Sequence, residues 1–277
     1  MKTVRLALIH CATLCFAASC KKSPDMTLKQ KTLFAEATIS QIEVGHAWPV
    51  KVVADNSTFV EVEYSAYLEN YLKINMEGTK LYIGFTGKVY AEMGSVFQAV
   101  VHTNQLEQLD LKDASTVSCS GCFSGQRLEV EVGDASQCRG LVFTGRECEI
   151  EMDDAALLTD FQFVGNTCKA SMENASQFNG KIQATDRLEV DMSQASRFVN
   201  KSGVTDRAEL KMREACLLNM AETQVRVMHV ALSEGSEATV QVEALLEGSL
   251  RDASTLYYLG QPQVNIDCSE ASSVVPL

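Results

Sequence analysis

The sequence has little proline, four residues in 277, and a single tryptophan. So few prolines exclude collagen-like and proline-rich linker architectures. Basic residues are scarce beside acidic ones, 24 Lys and Arg against 36 Asp and Glu. The net charge of −12 argues against nucleic acid as a partner, because a nucleic-acid binder needs a basic footprint to displace counterions from phosphates. Beyond residue 20 the only histidines are His46, His102 and His229. No nucleophile elbow, P-loop or complete zinc motif is present. After the first twenty residues no stretch is long and apolar enough to span a bilayer. What is there is 46% hydrophobic and 22% charged, so it is neither disordered nor of low complexity. The length suffices to bury a sizeable core.

Lys2 and Arg5 precede a largely apolar run over residues 6–18, which has the length of a signal-peptide core. The run closes on Ala17-Ala18-Ser19-Cys20. This ending resembles the lipobox of bacterial lipoproteins, although Ala17 stands where leucine is usual. The resemblance implies that residues 1–19 are a signal peptide and that Cys20 becomes an acylated N-terminus. Ordinary secretion with cleavage near Ser19 is the alternative. Residues 20–32 are polar, contain a proline and lack apolar periodicity, so they read as a lipid-anchored tether. The expected location is the cell envelope, as an exported, outer-membrane-anchored lipoprotein, with its periplasmic or surface side left open.

Seven cysteines follow Cys20: Cys119, Cys122, Cys138, Cys148, Cys168, Cys216 and Cys268. An odd number in a chain of this size does not make a disulfide scaffold. Cys119 and Cys122 have the spacing of half a zinc site or of a local disulfide, yet no second pair completes a metal site. For the others, the reading is a small buried hydrophobe.

From residue 104 onward the sequence repeats every 18 to 21 residues. The anchor is an acidic–Ala–Ser tripeptide, as in Asp113-Ala114-Ser115, Asp134-Ala135-Ser136 and Asp252-Ala253-Ser254. Its central residue recurs at 114, 135, 155, 175, 195, 215, 235, 253 and 271. Five before it stand apolar residues from Leu109 to Ile266, with Gly248 the exception; three before it, a column from Leu111 through Met152, Met172, Met192 and Met212; three after it, a column that includes Phe178 and Phe198. Polar residues alternate with these, as in Leu128-Glu129-Val130-Glu131-Val132. A period of two is a half-buried strand, and a repeat of this length is a solenoid. The fold class is therefore all-β: a single-chain parallel β-solenoid, or β-helix, of about 20-residue coils, with equivalent residues stacked about 4.8 Å apart. The tripeptide reads as a corner, with the acidic residue bonding its own backbone, Ala pointing inward and Ser satisfying a bent backbone group.

Residues 33–277 form the folded domain, divided into N-terminal strands at 33–103 and regular repeats at 104–277. The N-terminal part predicts irregular strands around residues 39–44, 50–53, 59–62 and 72–76, a helical turn at 66–71, and a hairpin through Glu77-Gly78-Thr79.

This order of parts resembles the auto-transporter adhesin head (GIN-type) domain family of exported Bacteroidetes lipoproteins. The likeness rests on residues 39–44 running into Val50-Lys51-Val52, on Glu69-Asn70-Tyr71-Leu72, on the hairpin Gly78 to Ile83, and on residues 106–115 leading into the Asp-Ala-Ser repeat. It implies a β-helical fold, an envelope location and an adhesive role, with no catalytic residues and no cofactor.

The outward positions of the main sheet supply the candidate contact face: Glu129, Glu131, Glu149, Glu151, Glu189 and Asp191. Lys169 and Lys211 interrupt it. Its bland reading is a soluble solenoid face; its sharper one is a contact surface with weak Ca²⁺ dependence, since adjacent carboxylates can share the ion. Whether the chain has a metal site is left undecided. The expected function is a non-catalytic binding or adhesion module, tethered to the membrane by lipid, with a glycan or protein ligand. An envelope structural or lipid-binding protein, using an apolar groove near Trp48 and the Tyr257-Tyr258 pair, is one alternative, although packing at the ends of the solenoid is the favoured reading of these aromatics. A carbohydrate-active β-helix enzyme is the other.

Overall fold

The computed structural model describes residues 23–277; the expected signal peptide and Cys20 lie outside the described residues. The N-terminal part supplies β1 (Leu28–Leu33), β2 (Gln41–Val44), β3 (Pro49–Ala54), β4 (Phe59–Ser65), β5 (Leu72–Glu77), β6 (Lys80–Phe85), β7 (Phe97–Thr103), β8 (Gln108–Leu111) and β9 (Thr116–Ser120). A 3-10 turn at Ala66–Tyr71 joins β4 to β5. The repeats follow as β10 (Phe123–Val132), β11 (Gln137–Arg139), β12 (Val142–Met152), β13 (Leu157–Met172), β14 (Gln177–Met192), β15 (Arg197–Asn200) and β16 (Gly203–Met212). They close with β17 (Leu217–Leu232), β18 (Glu237–Leu250), β19 (Thr255–Leu259), β20 (Gln263–Cys268) and β21 (Ser273–Pro276).

The protein is a parallel β-solenoid. From β8 onward every strand pairs in parallel with its equivalent one coil away, and repeat positions meet in register, as in Cys148↔Cys168, Met152↔Met172 and Met172↔Met192. The alternation places Val130, Ile150, Ala170, Val190 and Leu210 in one buried column and Met152 to Met212 in another. Phe178 and Phe198 stack with centroids 4.6 Å apart. Each such side chain stabilises the fold by roughly 1.5–3 kcal/mol through burial alone. Gly248 breaks the first column because nothing larger fits: a Cβ there would lie 1.9 Å from the Val230 carbonyl oxygen.

The corner differs from expectation. The acidic residue and the alanine both take positive φ, 55° and 57° at Asp113-Ala114 and 52° and 63° at Asn174-Ala175. Their reversed backbone turns the alanine outward and the serine inward, so Ala114 is exposed and Ser115 fully buried. The buried hydroxyl donates to the carbonyl three residues back, as Ser176 does to Glu173 at 2.6 Å, and Cys216 places its thiol 3.1 Å from the Arg213 carbonyl in the same way. Between coils the alanine N–H donates to the carbonyl of the first residue of the next corner, as Ala155 does to Asn174 at 2.8 Å. The corner is thus a backbone ladder, and the acidic side chain is left facing solvent.

Residues 33–103 are knitted into the same stack rather than merely preceding it. β2 lies in parallel between β6 and β8, and β3 between β7 and β9. They meet at a further corner, His46-Ala47, with φ of 60° and 57° and the same ladder bond, Ala47 N–H to the Asp113 carbonyl. The expected hairpin forms between β5 and β6, and β4 joins β7 antiparallel. Trp48 is fully buried against Phe85 and Phe97, so it fills the core at this end instead of lining a groove. Residues 28–32, expected to be tether, form β1 together with Leu33, antiparallel to β4. Their side chains are almost all exposed, so an edge strand held by backbone pairing carries no apolar period to read.

Candidate functional site

The contact-face residues sit on β10, β12 and β14 as two neighbouring ladders. Glu129, Glu149, Lys169, Glu189 and Glu209 stack in one; Asp110, Glu131, Glu151, Ser171, Asp191 and Lys211 stack in the other. The structure therefore brings all six expected carboxylates onto one surface, but it separates them electrostatically.

The first ladder is largely neutralised. Arg127 lies 2.7 Å from both Glu129 and Glu149, and Lys169 2.9 Å from Glu149. Arg187 bridges Glu189 and Glu209 at 2.6 and 2.9 Å, and Lys211 adds a contact of 2.7 Å to Glu209. The bonded Lys169 ammonium holds the Glu149 carboxyl below its usual range, and Lys211 does the same for Glu209. Arg127 and Arg187 stand eight residues before their corner alanines, outside the outward positions that define the expected contact face.

The second ladder faces an open trough of about 370 Å³, walled by Asp110, Lys112, Glu131, Asp134, Glu151, Asp153 and Glu173. Partial burial, then Asp110 and Glu151 nearby, pushes the Glu131 carboxyl up despite a hydrogen bond from Gln108. Burial also raises Asp153, followed by Asp154, Asp134 and Glu173. Asp153 leans over Gly133 so closely that a Cβ there would meet its Oδ1 at 2.4 Å, so the missing side chain makes room for the carboxylate. The main cation on the trough wall, Lys112, is already bonded to Asp110 Oδ2 at 2.7 Å and lies 3.8 Å from Glu43. Against the cost of burial, Lys80 and Lys112 hold Glu43 below its usual range.

Asp110 is the exceptional member. Its side chain is only 6% exposed, and its Oδ1 is buried with no hydrogen-bond partner. A buried carboxylate oxygen without a donor costs roughly 1–3 kcal/mol or more, and Asp110 is one of the residues that wall the trough. Asp110 occupies the same repeat slot as Glu131 and Glu151, so extending that column one coil toward the N-terminus would have found it.

Among the described residues, no group of three or more His, Cys, Asp and Glu side chains is arranged to hold a metal ion. Cys119, Cys122, Cys138, Cys148, Cys168, Cys216 and Cys268 are all free thiols, so residues 119 and 122 are not joined. A hydrogen bond with the Cys119 thiol, together with burial, raises the Cys138 thiol. Among the described residues no helix is long and apolar enough to cross a membrane.

The family model described as "putative auto-transporter adhesin, head GIN domain" matches residues 39–262. Three solved structures share the fold, each covered over 98% of its own length. A "putative lipid binding protein" from Parabacteroides distasonis gives a TM-score of 0.63 over 92% of this chain at 15% identity. A "putative adhesin" from Parabacteroides merdae gives 0.61 over 92% at 12% identity, and one from Parabacteroides distasonis 0.60 over 91% at 14%. No curated protein matches the sequence.

Proposed function

The chain belongs to the auto-transporter adhesin head GIN domain family, and from that membership we propose that it is a non-catalytic binding module of the cell envelope. It is carried on a lipid anchor at Cys20 and offers the acidic trough to a positively charged segment of a partner protein. The observation that carries this reading is a wall of six carboxylates against one cation, Lys112, which is already bonded to Asp110. A lysine or arginine entering the trough would supply charge and hydrogen-bond donors to Glu131, Glu151 and Asp153 together. An acidic glycan would need a bridging cation, and the carboxylates are not grouped to hold one. The ladder form also favours binding over catalysis, since it repeats one surface at a fixed spacing instead of enclosing a reacting group.

The test uses an oligolysine peptide as probe. The triple variant Glu131→Gln, Glu151→Gln and Asp153→Asn should keep the fold, bind the peptide more weakly and show a shallower salt dependence. Equal binding would make the trough a solubility device. Release of product from polysaccharides by the purified protein would overturn the non-catalytic assignment. For the anchor, Cys20→Ala should move the protein from membranes to the soluble fraction, and unchanged membrane partition would count against it.

A further inference from the structure

The 3-10 turn at Ala66–Tyr71 is a junction at the N-terminal end of the solenoid. Its Ala66 and Tyr67 N–H groups donate to the carbonyls of Thr27 and Asp25, fastening the incoming chain. Lys29 and Lys31 reinforce this by pairing with Glu69 at 2.5 and 2.8 Å, which with Tyr64 lowers that carboxyl to about 2. The same turn holds both ends of the loop at 86–96. Thr86 N–H donates to the Tyr71 carbonyl, Glu92 N–H donates to the Tyr67 hydroxyl, and Ser95 Oγ lies 2.5 Å from that hydroxyl. The start of the described chain and this loop are therefore one tyrosine side chain apart.

The loop carries the most exposed large apolar residues of the described chain, Tyr90 at 87% and Met93 at 99%. Met26 and Leu28 are also exposed beside the junction. The loop is otherwise nearly neutral, with Lys88 and Glu92 its only charges. Five residue steps separate Cys20 from Asp25, at most roughly 17 Å at full extension. Since residues 28–33 are a strand and not a long tether, acyl chains on Cys20 would hold this end of the solenoid against the bilayer.

We propose that the loop at 86–96 is a membrane contact, seating Tyr90 and Met93 in the headgroup layer of the bilayer that holds the lipid anchor. The proposal rests on acylation of Cys20. An amphipathic ring and a flexible thioether suit that layer, where tyrosine is favoured. The contact would fix the solenoid's orientation, with its N-terminal end against the bilayer and its long axis leading away.

The experiment uses the acylated full chain with Tyr90→Trp, reconstituted in vesicles of phosphatidylethanolamine and phosphatidylglycerol that carry doxyl quenchers near the headgroups. Trp48 is fully buried and provides a constant background. The introduced tryptophan's emission should fall roughly to half, as for a ring at the interface. Val204→Trp, at a half-exposed position on β16, should be unaffected. Met93→Trp gives a second reporter at a site with no packing to lose, and it should quench likewise. Membrane-bound, acylated protein with no quenching at either position would overturn the loop contact and leave the anchor standing. Absence of the diacylglyceryl mass on Cys20 would overturn the anchor, and the loop contact with it.

Discussion

At each corner the chain holds two consecutive residues in the left-handed region, a conformation that costs L-residues with a Cβ about 1–2 kcal/mol each. The fold recovers this through the carbonyl ladder between coils and through the buried serine hydroxyl. Ala175→Val, which puts a β-branched side chain at φ 63°, should therefore destabilise by about 1–2 kcal/mol, whereas Ala175→Gly should not. Glu234-Gly235 shows that glycine fits this slot. Ser196→Ala, which deletes the 2.8 Å bond to the Ser193 carbonyl, should cost about 1 kcal/mol. Urea melts of the three variants check both. The two carboxylate ladders give pH signatures of opposite sign. Glu131 is raised in the fold, so its charge works against folding at neutral pH and is relieved as pH falls through its folded pKa. Glu131→Gln should thus stabilise by about 0.5 kcal/mol at neutral pH, a gain that disappears in acid. Glu149 is lowered, so its stabilising contribution is full above the ordinary carboxylate range and is lost as pH falls through its folded pKa. Glu149→Gln should cost a similar amount at neutral pH and nothing well below it. Stability of the two variants measured across pH distinguishes the signs.

The strand stack is where sequence and structure agree most closely. A twenty-residue repeat with an internal period of two leaves little freedom in register, and every inward column of the repeats is buried up to the last coil. There Ile266 and Val274 are half-buried and Cys268 is exposed. Met192→Asp should lower stability by roughly 4 kcal/mol or more, because a lone carboxylate would replace a fully buried thioether. Gln183→Asp, on an exposed position of the same strand, should change little. Gly248→Ala should be nearly as damaging as Met192→Asp, since its Cβ would overlap the Val230 carbonyl and its φ is 137°. Comparable melting losses for Met192→Asp and Gln183→Asp would contradict the register. What escaped the sequence did so for physical reasons. His46-Ala47 lacks both the acidic residue and the serine of the repeat, so nothing but its backbone marks it as a corner. β1 is fixed by edge pairing and by two lysines on Glu69, neither of which leaves a hydrophobic pattern. The inward-pointing alanine was a plausible reading of a small residue, and only the positive φ values turn it out and the serine in.

For the whole molecule, the N-terminal elements and the acidic trough divide the work. β1, β4, β5 and the 3-10 turn cover one end of the stack, where Trp48, Phe85 and Phe97 close the core. The coils beyond them carry the carboxylate ladders in fixed register. The acidic face was legible as a list of residues, because outward positions follow directly from the inward columns. Its division was not, because Arg127 and Arg187 reach it from a neighbouring column and Asp110 is sunk by the coil beneath. The carboxylates of Glu149 and Glu209 are paired with cations; those of Glu131 and Asp153 are the ones that the proposed function offers to a cationic partner. The most direct test of that division is a residue-resolved NMR titration of the protein with an oligolysine peptide at moderate salt. Shifts concentrated at Asp110, Glu131, Glu151, Asp153 and Glu173, and lost in the Glu131→Gln, Glu151→Gln, Asp153→Asn variant, are the predicted result. Shifts spread evenly over every acidic surface, or unchanged in that variant, would contradict it.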